Sequence, residues 1–91
     1  MTALHTEEYR RFAHALREMR VSAGLSQYAL ADRLGVRQDF ISKVESGRRR
    51  LDVIEFLRIV NAIGGDPLEV LAAVTDPGRF QRSDRPIRGR G

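Results

Sequence analysis

The stretch "GLSQYALADRLGVRQDFISKVESG", Gly24 to Gly47, holds two short apolar-periodic segments separated by only a few residues around Gly35. Each could form a helix of about nine residues, which is marginal in isolation because helix nucleation is costly. The pair must therefore be held by packing against segments on either side. The turn "LGVR" decides how. Gly35 can adopt the left-handed conformation that stops a helix, and Val36 is available to tuck inward, so the two helices would cross steeply. An ordinary helical hairpin in a small bundle fits the spacing equally well.

The flanking segments supply the partners. Tyr9, Phe12, Ala13, Leu16, Met19 and Ala23 recur at spacings of three and four, which predicts a first helix from about Thr6 to Ala23, ended by Gly24. Ser26 can cap a second helix running to Leu34 with Leu30, Ala31 and Leu34 inward, and a third from about Gln38 to Ser46 buries Ile41 and Val44. Asp52 and Glu55 have capping-box spacing, and Leu51 and Phe56 occupy the positions of a hydrophobic staple. The stripe of this fourth helix reads Val53, Phe56, Leu57, Val60 and Ile63, and the Gly64-Gly65 pair ends it. Asp66, Pro67 and Glu69 then start a last helix carrying Leu68, Leu71 and Val74. No alternating strand pattern stands out, so the fold class is all-α: a compact five-helix domain over residues 1–75. Residues 76–91, "DPGRFQRSDRPIRGRG", hold turn formers and spaced arginines with little to bury, and read as a disordered Arg-rich tail.

Composition narrows the function. With 91 residues there is room for one domain, and with no Cys there is no disulfide framework, thiolate metal site or cysteine nucleophile. His5 and His14 have no ligand-spaced partner and read as solvated residues. The start "MTALHTEEYRR" lacks a basic stretch followed by an apolar run, and no apolar segment approaches the roughly 20 residues that cross a bilayer, so a soluble cytoplasmic protein is expected. There is no nucleophile paired with a base, no phosphate-cradling glycine loop and no metal cluster; neither an enzyme nor a cofactor is implied. The net charge of +4 lies in the segment from Arg79, with 5 Arg against 1 Asp, whereas residues 1–78 balance 11 Lys and Arg against 11 Asp and Glu. Within the domain, however, Arg37, Lys43, Arg48, Arg49 and Arg50 crowd together, opposed locally by Asp39 and Glu45, which makes a local basic surface.

With Ile41 and Val44 inward, the third helix turns Asp39, Ser42, Lys43 and Ser46 outward, with Gln38 on the shoulder. These side chains suit base edges: Gln can bond bidentately to adenine, Lys can donate to guanine, Asp can accept from cytosine and Ser can do either. A plain solvated face would look the same. A second clue is charge in an unexpected place. Arg20 falls in the middle of the first helix's apolar stripe and Glu45 falls beside Ile41 and Val44, which points to an internal pair fixing the third helix against the first. The alternative is that both side chains snorkel to the edge.

Taken together, "LR..R...GLSQ..LA..LGV.Q..IS..E.G.R" and the following Leu51 to Leu71 resemble the phage-repressor and Cro-like (Xre-type) helix-turn-helix family, over nearly all of the chain from Leu16 to Val74. The resemblance implies a lambda-repressor-like domain whose second short helix enters the major groove of double-stranded DNA. It implies base reading by Gln38, Asp39 and Lys43. Gln27 would bind a phosphate, Arg37, Ser42 and Ser46 would face bases or backbone, and Arg20 and Glu45 would form the internal pair. Arg48, Arg49 and Arg50 are further candidates for backbone contact. Three departures stand out: Arg37 replaces the usual Ser or Thr cap, bulky Phe40 sits beside the reading face, where packing against a neighbouring helix is expected of it, and Leu51 stands where the family often has Pro before the fourth helix, still serving as the staple. The resulting expectation is a sequence-specific regulator of transcription, a repressor in the first instance. The alternatives are an antitoxin that binds a toxin partner and regulates itself, and an interaction module that has lost DNA recognition. One reading helix spans few base pairs, so a homodimer is expected, with Leu68, Leu71 and Val74 as the contact stripe and Val70 adding apolar surface beside it.

Overall fold

The first amides of a helix have no partner inside it, and in this chain they find acceptors on side chains placed just upstream. The computed structural model describes residues 6–75 and contains five helices: α1 Glu7–Ser22, α2 Gln27–Leu34, α3 Gln38–Glu45, α4 Val53–Ile63 and α5 Pro67–Thr75. The tail expected over residues 76–91 lies outside the described residues. Thr6 Oγ1 accepts from the Tyr9 amide at 3.1 Å to open α1, and Ser26 Oγ accepts from Ala29 at 3.0 Å to open α2. Both halves of the capping box form at α4: Asp52 Oδ1 accepts from the Glu55 amide at 2.7 Å, and Glu55 Oε1 accepts from the Asp52 amide at 2.9 Å. Asp66 Oδ1 accepts from Leu68 at 3.0 Å beside Pro67, the first residue of α5. The exception is α3, where Arg37 offers no side-chain cap.

Packing then joins elements too short to stand alone. Around Leu16 of α1 the core gathers Leu30 and Ala31 from α2, Ile41 and Val44 from α3, Phe56, Ile59, Val60 and Ile63 from α4, and Val70 from α5. The short helices α2 and α3 lie against each other, α3 also against α1, and α2 against α4, while α5 runs along α1. Phe12 links the two long helices through its ring, with centroids 5.2 Å from both Tyr9 and Phe56. Arg33 ties α2 to the end of α4 by donating to the Ala62 carbonyl at 2.8 Å.

The apolar stripes differ from their sequence reading at the edges. Ala23 is exposed, and Val36 is 39% exposed where it was expected to tuck inward. In α4, Val53 and Leu57 are exposed and Ile59 takes the buried place. The largest correction concerns α5. Val70, expected as apolar surface beside the partner contact, is 1% exposed and belongs to the core, whereas Leu68 and Leu71 of the expected contact stripe are 67% and 43% exposed. The helix is apolar on both sides, so periodicity alone does not choose a face. At the preceding turn a Cβ on Gly65 would lie 2.5 Å from Met19 Sδ, so a larger residue there would require the flexible end of Met19 to move.

This orientation is testable. Val70→Asp is expected to cost several kcal/mol and abolish the cooperative thermal transition, because a carboxylate would be buried without a partner. Leu68→Asp should change stability by less than about 0.5 kcal/mol. The reverse order in thermal melts would place the Leu68 face inward.

Candidate nucleic-acid interface

The helix pair α2–α3 is a helix-turn-helix in geometry. Gly35 takes φ 71° at the end of α2, and the Val36 amide reaches back to the Ala31 carbonyl at 3.0 Å, so the chain turns within three residues. With Ile41 and Val44 buried, α3 presents Asp39, Lys43 and Ser46 to solvent, with Gln38 and Ser42 half-buried at its margins. Arg37 stands before it with its side chain 89% exposed.

What fixes this face is a polar chain that begins in the core. Arg20 Nε donates to Glu45 Oε2 at 2.6 Å and Arg20 Nη2 to Glu45 Oε1 at 2.9 Å, a bidentate pair whose side chains are only 8% and 6% exposed. Arg20 Nη1 donates to the Leu25 carbonyl at 2.6 Å, which binds the α1–α2 connection to the same group. The hydrogen bonds with Glu45 hold the Arg20 guanidinium above its ordinary pKa, against the opposing effect of burial. Gln27 Nε2 also donates to Glu45 Oε1, at 2.9 Å, and Gln38 Nε2 donates to Gln27 Oε1 at 2.7 Å. Four side chains from α1, α2 and α3 are thus joined in sequence. Gln38 forms the outer end.

The cations around α3 are not equivalent. Asp39 lies between Arg37 Nε at 3.3 Å and Lys43 Nζ at 3.8 Å, exposed pairs of small net worth that leave both cations able to exchange partners. Ser46 Oγ donates to the Lys43 carbonyl at 3.1 Å. Beyond α3, Arg48 is exposed. Arg49 is engaged internally: it pairs with Glu55 at 2.7 Å, donates to the Arg50 carbonyl and lies 5.1 Å above the Phe40 ring. Its bond to Glu55, after that of the Asp52 amide, lowers the pKa of that carboxyl. Arg50 lies 4.5 Å over the Tyr9 ring. Of the side chains expected near DNA, then, Gln27 and Gln38 are brought into contact, Arg37, Asp39 and Lys43 form a second group, and Arg49 turns toward α4. Phe40 packs on the core, as its bulk suggested, and carries Arg49 on its outer face.

Tyr9 had a signal in the sequence that periodicity passed over, a phenol in an otherwise apolar stripe. Its hydroxyl donates to the Arg49 carbonyl at 3.2 Å and accepts from the Leu51 amide at 3.1 Å, groups 40 and 42 residues away in the sequence. Burial raises its pKa. Beside Tyr9 and Arg50 runs a shallow groove lined also by Leu51, Val53, Phe56, Leu71 and Val74, and Ile54 and Leu57 of α4 and Leu68 of α5 are exposed as well. Among the described residues no cluster of three or more His, Asp or Glu could hold a metal ion, and no helix is long and apolar enough to cross a membrane.

Comparison with known proteins agrees with this geometry. The helix-turn-helix family model matches residues 16–70. An XRE-family like protein from Pseudomonas syringae pv. tomato is 44% identical, with TM-score 0.71 over 77% of this chain and 85% of that one. The restriction-modification controller protein C.AhdI from Aeromonas hydrophila is 31% identical, with TM-score 0.66 over 71% of this chain and 98% of that one. The clp gene regulator ClgR from Corynebacterium glutamicum shares the fold at 22% identity, with TM-score 0.72 over 87% of this chain and 84% of that one. No curated protein sequence matches the chain.

The buried pair has a measurable consequence. Arg20→Ala should destabilise the domain by about 3–5 kcal/mol, because it strands Glu45 without its counter-charge. Arg17→Ala, at a side chain half exposed and paired only with neighbouring Glu18, should cost less than about 0.5 kcal/mol. Equal melting temperatures for the two variants would show that the pair does not hold the fold.

Proposed function

The chain belongs to the Xre-type helix-turn-helix family, and from that premise we propose that it is a transcriptional regulator that binds duplex DNA sequence-specifically as a homodimer and represses by occupying its operator. The observation that carries this reading is the presentation of α3. Its inner face is locked into the core, and its outer face offers donors and acceptors of the lengths that base edges require. In this reading Gln38, Asp39, Ser42 and Lys43 read bases. Gln27, Arg37, Ser46, Arg48 and Arg50 meet the phosphate backbone, with Gln27 spanning a phosphate and Gln38. Arg49 is left to brace Phe40 and Glu55. The five arginines from Arg79 onward would add phosphate contacts without sequence preference.

The homodimer is proposed through exposed apolar side chains of α4 and α5, where Leu68 and Leu71 remain from the contact set expected from sequence and Val53 and Leu57 join them. Val70 leaves that set because it is buried, and half-buried Val74 lies at its border. Two domains paired about a twofold axis would read two half-sites about 34–36 Å apart.

Selection of bound fragments from random duplex DNA tests both parts at once, with a pseudo-palindrome at that spacing as the expected outcome. On the selected site, Lys43→Ala should relax preference at one position in each half-site and cost about 1–3 kcal/mol there. Arg48→Ala should weaken all sequences alike and reduce the salt dependence by about one phosphate contact. Uniform loss from both variants, with preference unchanged, would remove α3 as the reading helix.

A further inference from the structure

We propose that Tyr9, which lies outside the helix-turn-helix, is a positioning residue for DNA binding: its hydroxyl sets the loop between α3 and α4 that carries Arg48 and Arg50, without itself touching DNA. The inference rests on the DNA-binding reading above and adds a determinant upstream of the segment that carries the family signature, residues 16–70.

Side chains restrain the loop from several directions, with Arg49 paired to Glu55 and lying over Phe40 and with Leu51 packed against the core, while its backbone has fewer anchors. On its α3 side the amides of Arg48 and Arg49 both return to the Lys43 carbonyl, at 2.9 and 3.1 Å, after Gly47 turns the chain at φ 80°. On its α4 side the Asp52 amide is held by Glu55. Between these anchors the Arg49 carbonyl and the Leu51 amide meet the one phenol oxygen, which donates to the first and accepts from the second. A single rigid group thus closes the loop on α1. Tyr9 has the rigidity the task needs: it is 8% exposed, its ring is packed on Phe12, and Arg50 lies over its face. The bridge spans 40 residues to Arg49 and 42 to Leu51, so it ties the loop to the body of the domain and not to the helices it joins.

Tyr9→Phe separates this role from packing, since the ring, its contact with Phe12 and the face offered to Arg50 all remain. Two measurements are made. By NMR without DNA, the Leu51 amide should lose protection from hydrogen exchange while amides of the core helices keep theirs. In DNA binding well below the melting temperature, affinity for the selected site and for unrelated duplex should fall together by about three- to tenfold. Sequence preference should be retained and the salt slope should be shallower by about one contact. Arg48→Ala should then cost less in the Tyr9→Phe background than in the wild type, a non-additivity that a purely stabilising tyrosine would not produce.

Unchanged affinity in Tyr9→Phe, or additive losses with Arg48→Ala, would overturn the positioning role while leaving the DNA-binding reading intact. Failure of the wild-type protein to bind any duplex would overturn that reading, and the positioning role with it.

Discussion

The constraint on which the rest of the structure depends is the charge pair between Arg20 and Glu45. Two ions this poorly exposed have lost most of their hydration, and attraction between them offsets that loss only when the geometry is good and the remaining donors and acceptors are filled. Here they are filled, by the Leu25 carbonyl on one side and Gln27 on the other. The consequence is orientational. Glu45 meets Arg20 and Gln27 on the same side of α3 that buries Ile41 and Val44, so the rotation of α3 about its axis is held and Asp39, Lys43 and Ser46 face outward. Gln38 lies seven residues before Glu45, two turns back along the same side of the helix, where Gln27 bridges the interval.

The same network accounts for a weakness that α3 tolerates. Every other helix start has a side-chain oxygen within reach of its first amides, but Arg37 gives none, at a cost of about 1 kcal/mol by comparison with a Ser or Asp in that place. The Gln27–Gln38 bond supplies part of the restraint from the neighbouring helix, and the Arg37 side chain extends outward and pairs with Asp39. At the opposite end, Arg49 between Phe40 and Glu55, and Tyr9 against the following loop, hold the exit from α3. A helix of eight residues is thus restrained at both ends by groups from other elements.

Much of this architecture is legible in the sequence because it rests on local chemistry. The glycine stop at Gly35, the caps at Ser26 and Asp52, and the misplaced charges of Arg20 and Glu45 all state their roles within a turn or two of helix. The parts that were not legible depend on rotation and distance. Helix α5 has apolar residues on both sides, and the packing against α1 buries Val70, a choice that no periodicity contains. Arg48, Arg49 and Arg50 are alike in sequence, yet Glu55 and Phe40 engage one while the Tyr9 ring lies beneath another. The reach of Tyr9 to Leu51, 42 residues away, follows only once α1 and the loop are side by side.

If the buried pair acts chiefly to orient the reading face, orientation and stability should be separable. The direct measurement is the base preference of the Arg20→Met/Glu45→Met double variant, determined by selection from random duplex DNA alongside its thermal melt. Two apolar chains of similar length can fill the space without a desolvated charge, so a melting temperature near that of the wild type is expected. Gln27 and Gln38 would lose their anchor, and discrimination at the positions read by the start of α3 should weaken. A double variant that folds as stably and keeps the full preference of the wild type would contradict the account, because α3 would then be oriented by its apolar face alone.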